Sequence, residues 1–155
     1  MDKIVLDMSS GRITRLAIRA LDSAARLVPQ RKKAEHLTTG ERGEEEAYFY
    51  LRRCGYVMVA RNFRSPRRRG EIDLIGWEGD ILCFIEVKTR TSHAVKPAEA
   101  AVDEDKQREL VAVAREYLRR VSGSPAIRFD ILSIYLEKGA SSPQITLFKN
   151  AFSMP

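Results

Sequence analysis

The sequence predicts a mixed α/β domain, a mixed β-sheet flanked by helices in the order αβββαββ. Three observations carry this expectation. Two stretches, 41–54 and 104–121, keep apolar residues at helical spacing. Four stretches between and after them are short, apolar and rich in β-branched or aromatic residues. Glu78, Gly79 and Asp80 then give a hairpin signal between two of those strands.

In chain order, residues 1–37 read as a basic amphipathic extension and linker. Ile13, Leu16, Ala17, Ala20, Leu21, Ala24 and Leu27 recur at helical spacing, with Arg12, Arg15, Arg19 and Arg26 between them. The first reading is an extension packed on the domain or partly disordered; contact with a membrane surface or a partner is the second. Pro29 to Lys33 break the pattern as a polar, basic linker. The core domain, 38–155, starts with a helix over 41–54 whose inner stripe is Ala47, Tyr50, Leu51 and Cys54, stopped by Gly55. Residues 56–64 form a first strand, 65–70 (SPRRRG) a basic loop, and 71–77 and 81–88 two further strands. The second helix carries Leu110, Val113, Ala114, Tyr117, Leu118 and Val121 on one stripe, and Ser122 to Pro125 end it. Residues 127–136 give a fourth strand and 144–149 a short fifth.

Composition narrows the function classes. The chain has 155 residues, 44% of them hydrophobic and 31% charged, which suits one globular domain. Its formal net charge of +6 favours polyanionic partners. Cys54 and Cys83 lie inside apolar patterns without CxxC spacing and read as buried thiols in a reducing compartment. His36 and His93 are isolated, which leaves zinc few ligands. No apolar run nears the ~20 residues that cross a bilayer, and no secretory h-region is visible. The expected location is the cytoplasm.

The chemistry concentrates at GEIDLIG and FIEVKTR. Glu86 and Lys88 share a strand face one pleat step apart, about 6.6–6.8 Å. Asp73 shares a face with Ile75 in the preceding strand. A two-residue loop pairing Trp77 with Asp80 puts Asp73 diagonal to Glu86, and a four-residue loop puts it directly opposite. A three-residue loop would send Asp73 to the other face. Two converging carboxylates suit a hard divalent cation, with Lys88 placed to orient a water or stabilise negative charge. A salt bridge between Lys88 and one acid explains the same spacing equally well. A third acid, Glu44, lies three residues before Ala47 and seven before Leu51, on the inward side of the first helix; capping the helix start is its other reading. Glu45 and Glu46 fall off that stripe and read as solvated. Arg61, Arg64, Arg67, Arg68 and Arg69 lead into the acidic strand, with Arg90, Lys106, Arg108 and Arg128 elsewhere. Arginines around a carboxylate site suit a phosphodiester substrate.

An α-helical Glu, a strand Asp and a strand Glu-x-Lys resemble the PD-(D/E)XK nuclease superfamily. More narrowly, the chain resembles the YraN-like family of bacterial endonucleases with a Holliday-junction-resolvase-like fold. The stretches that carry the likeness are Gly40-x-x-Gly43-Glu44 with Ala47, ARNFR at 60–64, GEIDLI at 70–75, FIEVKTR at 84–90, DKQREL at 105–110, RFDIL at 128–132 and NAF at 150–152. Together they span residues 38–152. The resemblance implies a restriction-endonuclease-like core. It implies Glu44, Asp73 and Glu86 as metal-side acids, the carbonyl of Val87 as a further ligand, and Lys88 as the catalytic lysine. Arg64, Arg90, Lys106 and Arg128 would contact substrate or pair structurally; Arg67, Arg68 and Arg69, nucleic-acid contacts on the charge pattern rather than the resemblance, read by themselves as a solvated loop. The expected activity is Mg²⁺- or Mn²⁺-dependent cleavage of branched or structured DNA, by a homodimer where cuts are paired. The alternative is a non-catalytic nucleic-acid-binding protein that keeps the nuclease fold. A third reading is an interaction protein recruited through residues 10–28.

Overall fold

The computed structural model describes residues 39–91, 102–137 and 139–154; the extension expected over residues 1–37 lies outside them. Within them run α1 (Thr39–Arg53), β1 (Val57–Arg64), β2 (Glu71–Glu78), β3 (Ile81–Arg90), α2 (Glu104–Leu118), β4 (Ala126–Tyr135) and β5 (Gln144–Phe152). This is the order αβββαββ. The five strands form one sheet in sequence order, with β3 and β4 parallel and the other neighbours antiparallel. Of all the neighbouring strands, only the parallel pair needs a crossover, and α2 supplies it.

Alternation along β3 sends Leu82 and Phe84 to one core and Cys83 and Ile85 to the other. Leu110, Val113 and Ala114 of α2 cover the first face, and Ala47 and Leu51 of α1 cover the second. The α2 side is tied by aromatic contacts: Phe84 stacks on Phe129 and Phe129 on Phe152, with ring centroids 5.4 and 4.8 Å apart. Tyr117 meets Phe63 and Phe84 edge-on, so one helical residue touches both β1 and β3. Among the described residues, no helix is long and apolar enough to cross a membrane.

Local sequence explains the element ends. Gly55, at φ 91°, closes α1: its N–H donates to the Arg52 carbonyl and that of Tyr56 to Leu51, a Schellman arrangement. Asp103 caps α2 by accepting from Lys106 N at 2.9 Å. That helix stops at Leu118, three residues short of expectation, because Arg120 and Val121 donate to Tyr117 and Leu118 in tight turns. Val121 still packs on the core. β5 runs to Phe152, longer than expected, because Phe152 is needed opposite Phe129. Cys83 is buried as expected, but Cys54 is exposed, since it falls just past the last turn of α1.

Close approach at Gly43 brings α1 down on β3. A Cβ there would lie 1.8 Å from Thr89 Oγ1 and 2.8 Å from Thr89 Cβ. Glu45 and Glu46 are accordingly half-buried rather than solvated. We expect Gly43→Ala to destabilise the protein by about 1–3 kcal/mol, as overpacking does. Thermal unfolding measures the loss, and Thr89→Ala in the same chain should recover only part of it, since the Thr89 Cβ clash persists.

Candidate metal and phosphodiester site

The β2–β3 hairpin turns through Gly79 and Asp80, with Glu78 opposite Ile81 and Gly79 at φ 59°. This is a two-residue loop, but shifted one residue from the Trp77–Asp80 closure considered above. The register therefore equals that of the four-residue alternative, and it continues to place Asp73 directly opposite Glu86. Pairing itself stops one step earlier, at Leu74 with Ile85. Beyond that point the Val87 N–H donates to Asp73 Oδ2 at 2.7 Å instead of to a strand carbonyl.

β2 also turns about its axis at Asp73. Ile72 packs in the core under α2 and Leu74 in the core under α1, although two residues apart they would share a face in a regular strand. β1 turns with it: Arg61 lies over Tyr48 of α1, whereas Phe63 meets Tyr117 of α2. Between them Asn62 has φ 48°, a left-handed conformation that asparagine tolerates. Simple alternation thus does not describe Asp73. It stands where the strand switches sides, within electrostatic reach of Glu86, of Glu44 on α1 and of Lys106 on α2.

Glu86 is 4% exposed. Its Oε1 accepts from Lys88 Nζ at 2.8 Å and faces Lys106 Nζ at 3.3 Å. Its Oε2 is buried with no hydrogen-bond partner. A buried carboxylate oxygen left without a donor is costly, by roughly 1–3 kcal/mol or more. Burial, then Glu86, raises the Asp73 carboxyl to about 7; Glu44 adds to this, while the Val87 N–H and Lys106 oppose it. Asp73, Glu86 and Glu44 set three carboxylates against the two ammonium groups of Lys88 and Lys106.

The expected residues divide by location. Asp73, Glu86 and Lys88 come together, and Lys106, expected at substrate, joins them through Glu86. Glu44 is half-buried on the α1 side. Among the described residues, no three Asp, Glu, His or Cys side chains group closely enough to hold an ion by themselves. Asp73 and Glu86 still fit a Mg²⁺-type ion, which takes one or two carboxylates and keeps several waters. Arg67, Arg68 and Arg69 are exposed, Arg64 pairs with Glu71, and Arg90 ends β3 with its Nε buried and unpartnered.

Arg128 is elsewhere. It is turned inward on Asp130, Glu78 and the Tyr56 hydroxyl, with its side chain 13% exposed. Asp130 also accepts from Asn150 N at 2.9 Å. RFDIL and NAF therefore meet in a buried structural network.

Ser133 was not among the expected residues. It is 2% exposed, its hydroxyl has no partner, and it pairs in register with Lys88. The signal was there: a small polar residue alternating with Phe129 and Ile131 on the sheet face of Lys88.

The raised carboxyl of Asp73 has a stability consequence. The folded state binds a proton that the unfolded chain releases near pH 4, so metal-free protein should lose stability as pH rises from about 4 to 7 and then level off. Asp73→Asn should remove this slope and raise the melting temperature by a few degrees at pH 8 in EDTA, with little gain at pH 4.5. Thermal melts across that range measure it; a wild-type melting temperature flat between pH 4.5 and 7 would contradict the raised carboxyl of Asp73.

The sequence profile of an uncharacterised protein family, UPF0102, matches residues 43–134. A UPF0102 protein of Koribacter versatilis is 52% identical over 139 residues, covering 90% of this chain and 94% of its own length. One from Solibacter usitatus is 44% identical over 131 residues (84% and 95%). Another, from Caldicellulosiruptor saccharolyticus, is 38% identical over 114 residues (73% and 95%). The matched segment contains Glu44, Asp73, Glu86, Lys88 and Lys106 alike, and the chain belongs to the UPF0102 family, also described as YraN-like.

Proposed function

We propose that this protein is a metal-dependent endonuclease that cleaves DNA, with branched or structured DNA as its substrate. The observation that carries the reading is the buried, unpartnered Oε2 of Glu86 beside a second buried carboxylate, Asp73. Asp73 and Glu86 would hold Mg²⁺ or Mn²⁺, with the Val87 carbonyl and Glu44 as further candidates. The ion would supply Lewis-acid polarisation of the phosphodiester. Lys88, held on Glu86, is placed to orient a water or to donate to charge developing on phosphate oxygen. Lys106 brings a second positive group to the same carboxylate. The exposed arginines of the β1–β2 loop would neutralise flanking phosphates.

A non-catalytic nucleic-acid-binding protein is the second reading, and one observation favours it: Lys88 and Lys106 both sit on Glu86 Oε1, an ion-pair set that could be structural. Labelled four-way, forked, single-stranded and linear DNA, incubated with Mg²⁺, Mn²⁺ or EDTA, separates the two. Cutting should require the metal and fall by about 10²–10³-fold or more in Asp73→Ala and Lys88→Ala. DNA that is bound but uncut under every metal condition would establish the second reading instead.

A further inference from the structure

A second group of charges lies at the other end of α2. Glu116 is buried, yet three arginines converge on it: Arg119 at 3.0 Å, Arg68 at 3.8 Å and Arg67 at 4.0 Å. Arg120 lies beside them, its guanidinium 5.1 Å from the Phe63 ring centroid. Ser65, Pro66, Arg67, Glu116, Arg119 and Arg120 line a cleft of about 280 Å³. Ser65 is itself buried, and its Oγ accepts from Arg67 N at 3.2 Å, which fixes the loop at the cleft wall.

One buried carboxylate cannot use the donors of three guanidiniums, each of which carries five. Arg67, Arg68 and Arg119 remain more than half exposed, so their surplus donors face solvent. Four arginines against one glutamate leave a local excess of positive charge in a concave setting, where an anion is favoured. Glu116 gathers the arginines and spaces them, which lowers the cost of ordering them around a ligand.

The position decides what kind of anion. The chain from Arg67 and Arg68 beside Glu116, through Gly70 beside Glu109, to Asp73 within reach of Lys106 runs back along α2. Lys106 and Glu116 are ten residues apart on that helix, about 15 Å at 1.5 Å per residue. At roughly 3.4 Å per nucleotide along one strand, that is about four or five nucleotides. Glu109 lies between the two ends, so backbone contact on this side falls at two places and not along a continuous basic strip.

We propose that the Glu116-centred arginine cleft is a phosphodiester-binding subsite, which grips the nucleic-acid backbone about four or five nucleotides from the phosphate held at Asp73 and Glu86. Arg119 and Arg120 are its new members; the 15 Å spacing rests on the endonuclease reading, but the grip on backbone phosphate does not.

Binding of a labelled forked DNA in EDTA, across a salt titration, tests it without any cutting. Arg119→Ala/Arg120→Ala should weaken binding about tenfold or more at 100 mM salt and reduce the slope of log K against log salt by about 1–2. Arg53→Ala, at the exposed end of α1 away from both sites, should keep the wild-type slope. Thermal melts of both variants check that they fold, and Arg119→Lys/Arg120→Lys should recover most of the affinity and slope. Wild-type affinity and slope in the alanine variant, or no DNA binding by the wild-type protein at all, would overturn the subsite. DNA binding that depends on these arginines, in a protein that never cuts, would sink the endonuclease reading and leave the subsite standing.

Discussion

Where β2 and β3 stop pairing, the Val87 amide has no strand carbonyl to meet and donates to the carboxylate of Asp73. That substitution lets the two strands part without leaving a buried amide unsatisfied. It fixes Asp73 opposite Glu86, and it opens the sheet at the point where side chains from both faces can reach the same place. Glu44 comes from the α1 side and Lys106 from the α2 side because Asp73 stands in the turn between them. The left-handed Asn62 in β1 and the close approach at Gly43 serve the same geometry, one by rotating the neighbouring strand and the other by lowering the helix that carries Glu44.

The electrostatics run against the chain as a whole. A protein with a formal net charge of +6 buries an excess of negative charge in this one place. Two lysines on a single oxygen of Glu86 offset part of it and leave the other oxygen unpartnered. An arrangement meant only for stability would satisfy both oxygens or replace the set with apolar residues, since buried charges repay their desolvation poorly. The Arg128–Asp130 network shows the contrast within the same sheet. There the guanidinium and the carboxylate take up one another, with Tyr56, Glu78 and Asn150 using what is left.

Sequence reading placed the elements because their signals are local: helical spacing in α1 and α2, alternation in the strands, and Gly55 and Gly79 where positive φ is required. It also placed Asp73, Glu86 and Lys88 in one neighbourhood, since strand periodicity fixes the spacing of Glu86 and Lys88 without reference to the rest of the fold. It left Arg128 open between substrate contact and structural pairing, and only the packing of β4 against Tyr56 and Glu78 turns it inward while Arg67 stays exposed.

The residues alone therefore determined the order of elements, the acidic and lysine pattern, and the family to which that pattern belongs. Tertiary structure decided the hairpin register, because the one-residue shift at Gly79 and Asp80 depends on how β2 pairs with both its neighbours. It decided the switch of faces at Asp73, which arises from the matched turn in β1. It also brought Lys106 and Ser133 to the site and gathered four arginines around Glu116, since these groups are separated in sequence and meet only when α2 and β4 pack on the sheet.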